Sequence, residues 1–181
     1  MSGPEIIVGV TGGISAYKTA ELVSQLVQSG ILVNVVMTRA AQAFVGKATF
    51  AALSGRPVAQ ELFDSQLHPL GSHITLSEQS QLLCIAPASA DFLSKSANGI
   101  ADDLLSTLYL AFPGPVVMAP AMNSSMWSHP AVQRNTSQLQ EDGVHLVGPD
   151  AGWLSCRSQG PGRMADPTTI SSEIQRLLEA R

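Results

Sequence analysis

The chain has 181 residues, near the usual size of one domain, and 45% of them are hydrophobic, enough to build a continuous core without disulfides. A formal net charge of -4 at pH 7 provides no broad basic surface, which argues against binding to nucleic acids or anionic membranes. The N-terminal segment lacks a basic signal region, and no apolar stretch reaches the ~18 residues of a membrane span. We therefore expect a soluble cytoplasmic protein that acts on a small molecule.

Short apolar strands and amphipathic helices alternate along the chain. Strands are predicted at residues 5–11, 31–37, 81–86, 115–118 and 144–147, and helices at residues 17–29, 40–53, 90–97, 101–112, 130–140 and 168–180. The first strand is rich in β-branched residues and leads into Gly12 and Gly13. This alternation predicts an α/β fold with helices on both faces of an open parallel sheet, in a single domain over residues 1–181.

Turn and polar residues follow four successive predicted strands. Gly12 and Gly13 follow the first strand, Thr38 the second, residues 87–91 the third and residues 119–123 the fourth. Open parallel sheets bind ligands beyond the carboxyl ends of their strands. We therefore expect these four segments to form a ligand site together.

The Gly12-Gly13 turn lets backbone N–H groups approach a ligand, and the helix that follows favours an anion such as phosphate. The turn lacks the full G-x-G-x-x-G pattern. Two interpretations stay open: contact with a phosphate or flavin, or glycines that serve only the geometry of the turn.

Residues 120–127 place an amide, two thioethers and an indole just beyond a predicted strand. Packing alone rarely produces such a cluster, so a binding role is one interpretation. The alternative is that Met122, Met126 and Trp127 cover the core while Asn123 makes an ordinary turn hydrogen bond.

Residues 152–164 contain several glycines, one cysteine and two arginines without hydrophobic periodicity, which is typical of a mobile flap. A cationic Arg157 beside Cys156 favours a thiolate with a lowered pKa, and a simple exposed loop cysteine is the alternative. The other cysteine, Cys84, lies in an apolar run and is expected to be buried.

The four histidines are His68, His73, His129 and His145, and their spacings resemble no metal site. On its own, His73 is more typical of a surface or capping residue than of a catalytic one. We expect no bound metal.

Taken together, the segments resemble the homo-oligomeric flavin-containing cysteine decarboxylases, and within them the phosphopantothenoylcysteine decarboxylases. The resemblance covers nearly the whole chain. It is carried by residues 12–18 (GGISAYK), 73–77 (HITLS), 97–107 (ANGIADDLLST), 120–127 with the pattern P-x-M-N-x-x-M-W, and 160–164 (GPGRM).

The resemblance implies a Rossmann-like (flavodoxin-like) three-layer subunit that assembles as a homotrimer or a multiple of trimers and binds FMN near subunit contacts. It implies FMN contacts at Gly12, Gly13, Ile14, Thr38, Ser89, Ala90, Asp91, Phe92 and Ala121. It also implies His73 as the active-site histidine, Asn123 as the amide that holds the substrate carboxylate, and Cys156 as the proton donor. Trp153, Leu154 and Ser155 match the substrate-binding positions of the clamp, at about residues 152–164.

Two segments depart from the pattern of this family. The family commonly has Ala-Cys-Gly in the clamp, whereas this chain has Ser155-Cys156-Arg157, which removes a flexible glycine beside the thiol. The family commonly has Ala-Asn-Thr after the third strand, whereas this chain has Ala90-Asp91-Phe92, which exchanges an amide for a carboxylate.

The implied reaction needs these groups because direct loss of CO2 from a cysteine carboxylate leaves an unstabilised carbanion. Oxidation of the cysteine side chain to a thioaldehyde supplies the electron sink, and reduction of the resulting enethiol then restores the redox balance. A thiol such as Cys156 is mostly protonated at neutral pH and can act as the acid. His73 suits base or electrostatic work, and Asn123 binds a carboxylate without adding positive charge.

Phosphopantothenoylcysteine is thus the expected substrate, and phosphopantetheine on the route to coenzyme A the expected product. One alternative is an oxidative decarboxylase of peptides that end in cysteine, as in lantibiotic processing, but such relatives typically lack the clamp cysteine. The other is a non-catalytic flavin-binding regulatory subunit, which the presence of His73, Asn123 and Cys156 together disfavours.

Overall fold

The computed structural model of the chain describes residues 3–62 and 71–180, so His68 lies outside the described residues. Five parallel strands form the central sheet in the order β2-β1-β3-β4-β5. They are β1 (Glu5–Val10), β2 (Leu32–Met37), β3 (Leu82–Ala88), β4 (Val116–Pro120) and β5 (His145–Leu146). Two further strands, β6 (Asp150–Trp153) and β7 (Gln159–Arg163), form a separate antiparallel hairpin. The strand order is that of flavodoxin-like folds, so the predicted fold is confirmed.

Helices cover both faces of the sheet. They are α1 (Ala16–Gln28), α2 (Lys47–Ser54), α3 (Ser72–Gln79), α4 (Ala90–Ala97), α5 (Leu104–Ala111), α6 (Ser124–Trp127), α7 (Pro130–Glu141) and α8 (Pro167–Glu179). No helix in the described ranges is both long enough and apolar enough to cross a membrane.

Alternate residues of β1 supply the two halves of the core. Ile6 and Val8 pack with buried residues of α1 and α8, whereas Ile7 packs with residues of α4 and α5 on the opposite face. Successive side chains of a strand point to opposite faces, so this run of buried β-branched residues fills both layers. The result is a three-layer sandwich whose central strands are fixed from both sides.

Three segments differ from the sequence prediction. The helix predicted at residues 40–53 is a short 3-10 turn followed, after Gly46, by α2. The helices α3 and α6 were not predicted, because α3 buries only one large apolar side chain, Leu76, and α6 has four residues. The flap predicted without secondary structure is the β6–β7 hairpin, whose strands are mostly exposed and therefore show no hydrophobic alternation.

Two buried threonine hydroxyls join the end of β3 and the turn after it to the end of β1 and to α1. The hydroxyl of Thr11 donates to the carbonyl oxygen of Pro87 at 2.6 Å and accepts the backbone N–H of Ser89 at 2.9 Å. The hydroxyl of Thr19 donates to the carbonyl oxygen of Ala86 at 2.7 Å. Because these buried groups satisfy one another, the loops that follow β1 and β3 are held in a fixed relation.

Candidate functional site

A cavity of about 620 Å³ lies at the carboxyl ends of β1, β3 and β4, with the β6–β7 hairpin along one side. The volume is in the range usual for cofactor and small-molecule sites. The cavity brings together most of the predicted site residues, namely Gly12, Gly13, Ile14, Ser89, Ala90, Ala121, Asn123, Trp153, Leu154, Ser155 and Cys156. It opens where the strand order reverses between β1 and β3, the usual ligand position in such sheets.

The glycine turn after β1 leaves open space on the cavity side. A Cβ at Gly13 would meet only Cγ of Pro87, at 3.8 Å, so its backbone is open to a ligand. A Cβ at Gly12 would lie 2.5 Å from Cβ of Ala40, so this glycine allows the close approach of two loops. The two glycines therefore serve different purposes: Gly12 serves packing and Gly13 serves access.

Four of the predicted site residues do not line this cavity. Thr38 accepts the backbone N–H of Ala41, and Asp91 extends into solvent 3.4 Å from Lys95. Phe92 is buried in the core, and only its backbone faces Ser89, whose hydroxyl accepts the Phe92 N–H at 3.3 Å. The Phe92 ring therefore does not line this cavity.

The fourth of these residues, His73, lies in the first turn of α3. Its imidazole packs against Gly71, where a Cβ would approach its Cε1 to 3.1 Å. Its Nδ1 is buried and has no hydrogen-bond partner among the described residues. A buried nitrogen without a partner in the described part of the chain is unusual and singles out this side chain.

Asn123 is positioned by the helix that it caps. Its side-chain oxygen accepts the backbone N–H of Met126 at 3.1 Å, as expected of an asparagine at a helix N-cap. This hydrogen bond directs the amide nitrogen toward the hairpin, where it lies 3.9 Å from Sγ of Cys156. In the pattern M-N-x-x-M, the asparagine thus provides an amide N–H donor, and the helix that it caps sets the direction of that donor.

Cys156 is exposed at the tip of the hairpin, in a turn closed by hydrogen bonds between Leu154 and the two residues that follow the cysteine. Its Sγ lies 3.1 Å from the hydroxyl oxygen of Ser158. Hydrogen bonds from Ser158, and to a smaller extent from Asn123, lower the pKa of the Cys156 thiol. Arg157, which the sequence offered as a possible source of a lowered pKa, is not among these causes.

The unusual feature of Arg157 is its backbone conformation. Arg157 is the one residue other than glycine with a positive φ, 65°, among the described residues. Left-handed backbone disfavours side chains with a Cβ, so the family's glycine at this position has a physical reason.

The hairpin is fixed at its base by close contact with the segment after β4. The backbone N–H of Met122 donates to the carbonyl oxygen of Gly162 at 2.9 Å. Gly162 has a φ of +131°, and a Cβ there would collide with the carbonyl oxygen of Met122. The predicted flap is therefore docked at β7, with Cys156 at its free tip.

Several residues that the sequence did not predict as site residues also line the cavity: Ser15, Tyr17, Lys18, Met122, Met126 and Gly162. The sequence left open whether Arg157 or Arg163 meets the substrate phosphate, and of these two only Arg163 lines the cavity. Both methionines belong to the segment that the sequence singled out, without a choice between core and cavity. Lys18 lies in the first turn of the helix that follows the glycine turn, and this nearness to Gly13 was the available signal. Among the described residues, no group of three or more histidine, cysteine, aspartate or glutamate side chains is arranged to hold a metal ion.

Comparisons with family models, curated proteins and solved structures agree with one another. Residues 1–179 match the Flavoprotein family. The chain is 44% identical over 174 residues to the coenzyme A biosynthesis bifunctional protein CoaBC of Haemophilus influenzae, which covers 96% of this chain and 44% of that protein. The chain thus spans less than half the length of the curated relatives that it matches.

Two solved structures are similar over nearly their full length. One is the FMN-dependent cysteine decarboxylase SpaF, with 35% identity and a TM-score of 0.83 over 97% of each chain. The other is a PPC decarboxylase with a cysteine changed to serine, complexed with pantothenoylaminoethenethiol. It has 28% identity and a TM-score of 0.86, over 98% of this chain and 100% of that chain.

The docking of the hairpin can be tested by Gly162→Ala. The added methyl group meets both the positive φ and the Met122 carbonyl, so we expect a loss of ~2 kcal/mol or more in the free energy of unfolding. Gly143→Ala is the matched control, because Gly143 has a φ of +90° and no atom within 4 Å of its Cβ position. Urea unfolding of both variants measures the difference, and equal losses would show that the Met122 contact is unimportant.

Proposed function

The chain belongs to the Flavoprotein family, and from this membership we propose that it is a carbon–carbon lyase, an FMN-dependent decarboxylase of phosphopantothenoylcysteine. The product is phosphopantetheine, in the biosynthesis of coenzyme A. The observation that carries the proposal is the approach of Asn123 and Cys156 to 3.9 Å beside the open glycine turn of one cavity. The names of the similar proteins, a coenzyme A biosynthesis protein and a PPC decarboxylase, agree with this substrate.

Two features of the cavity fit FMN: the backbone at Gly13 is open to a ligand, and the apolar side chains of Ile14 and Met122 line the cavity. Residues that would hold FMN are Gly12, Gly13, Ile14, Ser89, Ala90 and Ala121, together with the backbone near Thr38, Asp91 and Phe92. When bound, FMN supplies the oxidation of the cysteine side chain to a thioaldehyde and the later reduction of the enethiol.

Asn123 binds the substrate carboxylate through its amide N–H groups. The amide is neutral, so it orients the carboxylate without a positive charge that would oppose the loss of CO2. Because the Asn123 oxygen is already engaged by the Met126 N–H, only the donor end of the amide is available to the substrate.

Cys156 donates its Sγ proton to the substrate carbon that has lost CO2. Trp153, Leu154 and Ser155, on the same hairpin, cover the substrate and exclude water. The lantibiotic-type alternative ends at the enethiol and has no need of this thiol, so Cys156 favours the complete reaction.

The predicted homotrimer, with the cavity near subunit contacts, forms part of the proposal. Two observations support it: His73 does not line the cavity of its own chain, and large apolar side chains around the cavity are exposed. Trp153 is 63% exposed, Tyr17 62% and Ile14 53%. Such a surface is typical of an interface, and a neighbouring subunit can bring His73 to the cavity. The predicted cytoplasmic location agrees with a step of coenzyme A biosynthesis.

Replacement of the proton donor tests the function. Cys156→Ser is expected to release CO2 from phosphopantothenoylcysteine at a near-normal rate in a single turnover, but to accumulate the enethiol together with reduced flavin. Mass spectrometry of the product and the flavin absorbance measure both steps. Cys84→Ala is the control, because Cys84 is fully buried in the core and burial raises its pKa to about 12. Formation of phosphopantetheine by Cys156→Ser at the normal rate would refute the assignment.

The lowered pKa of Cys156 predicts a pH dependence. The proton donor is lost as pH rises through this pKa, so the rate of the reductive step falls on the alkaline side. Ser158→Ala removes the main hydrogen bond that stabilises the thiolate, which raises the pKa and moves the alkaline fall to higher pH. Rate measurements against pH test this shift, and an unchanged or opposite shift would exclude Ser158 as the cause.

A further inference from the structure

Two cationic side chains line the cavity, and no carboxylate from residues 3–62 or 71–180 lines it. Lys18 lies in the first turn of α1, and Arg163 ends β7. Neither forms an ion pair within 4.0 Å among the described residues. The protein as a whole has a formal charge of -4, so a cavity lined by two cations without ion-pair partners is unusual in it. Such a cavity is suited to an anionic ligand.

The Lys18 ammonium reaches the backbone at the end of β7. The Lys18 ammonium donates to the backbone carbonyl of Met164, the residue after Arg163, at 3.4 Å. Partial burial, and next the positive charge of Arg163, lower the pKa of Lys18, while the carboxylates of Asp166 and Asp150 act in the opposite direction. The Asp166 side chain is engaged at the N-cap of α8, where it accepts the Thr168 N–H at 3.0 Å.

Arg163 is also fixed in place along the hairpin. Its side chain passes over Gly152, where a Cβ would lie 3.4 Å from both Cδ and Nη1. The guanidinium therefore lies beside the strand that leads to Trp153 and Cys156. The Arg163 side chain is exposed, and Asp150 lies opposite Arg163 across the hairpin. The hydrogen bond from the Thr168 N–H, and to a smaller extent the charge of Arg163, lower the pKa of Asp166. Neither carboxylate lies within 4.0 Å of the guanidinium as an ion pair. A guanidinium and an ammonium together are well suited to a phosphate dianion.

We propose that Lys18 and Arg163 form the binding site for the phosphate monoester of the substrate, an inference that rests on the proposed function. The substrate carries one anionic group at each end. Asn123 takes the carboxylate beside Cys156, so the second anion needs cations elsewhere in the same cavity. Arg163 belongs to the hairpin that carries the predicted substrate contacts, which favours the substrate phosphate over the phosphate of FMN as occupant.

The test compares two substrates and two flavins on the complete chain. KM and kcat are measured for phosphopantothenoylcysteine and for pantothenoylcysteine, which lacks the phosphate. Dissociation constants are measured for FMN and for riboflavin. The variants are Lys18→Gln and Arg163→Gln, with Lys18→Arg as a variant that keeps the charge and Lys47→Gln, on the exposed start of α2, as the matched control.

Loss of one charge-assisted contact to phosphate should raise KM for the phosphorylated substrate roughly tenfold to a hundredfold. KM for pantothenoylcysteine and the affinity for FMN should stay unchanged, and Lys18→Arg should keep most of the preference for phosphate. An equal rise in KM for both substrates would overturn the proposal. So would a loss of FMN affinity with riboflavin affinity unchanged, which would assign the cations to the FMN phosphate.

The phosphate site can also be tested if the proposed decarboxylase function is wrong. If the wild-type chain decarboxylates neither compound, the site is judged by calorimetric binding of the same two compounds. The phosphorylated compound should then bind at least roughly tenfold more tightly, and Lys18→Gln should remove that difference. Equal affinities in the wild-type chain would refute the phosphate site.

Discussion

The candidate site depends on one contact, in which the β6–β7 hairpin docks on the segment that follows β4. Gly162 permits this contact because it lacks a side chain where the Met122 backbone passes, and the Met122 N–H closes it with a hydrogen bond to the Gly162 carbonyl. The docked strand fixes the base of the hairpin, and the turn at its tip then brings Cys156 to the amide of Asn123. This contact therefore helps to place the thiol beside the amide.

The opposite wall of the cavity is rigid for another reason. The loops after β1 and β3 extend from strands that are buried on both faces, and the Thr11 hydroxyl joins the two loops. A rigid wall suits a cofactor that stays bound through many turnovers, whereas a hairpin fixed only at its base suits a substrate that must enter and leave. The division of the cavity into these two walls agrees with the proposed division between flavin and substrate residues.

The sequence predicted the sheet well because its strands are buried on both faces and their apolar runs are unmistakable. It predicted Gly13 and Asn123 as site residues because strand ends and the family resemblance both indicate them, and Cys156 because a glycine-rich loop and the resemblance indicate it. The hairpin escaped prediction because exposed strands rich in glycine have no alternating pattern. Two features could not be predicted from the sequence: His73 lies away from the cavity, and Lys18 and Arg163 line the same cavity. Both depend on contacts between residues far apart in the chain, which no local pattern encodes.

The central claim is that this cavity, with its cofactor, decarboxylates a cysteine derivative. The most direct measurement is to saturate the purified chain with FMN, add phosphopantothenoylcysteine without oxygen, and follow the release of CO2 and the mass of the organic product. The account predicts stoichiometric CO2, phosphopantetheine as product and a flavin that returns to its oxidised spectrum. Unchanged substrate in the presence of protein that has demonstrably bound FMN would contradict the account.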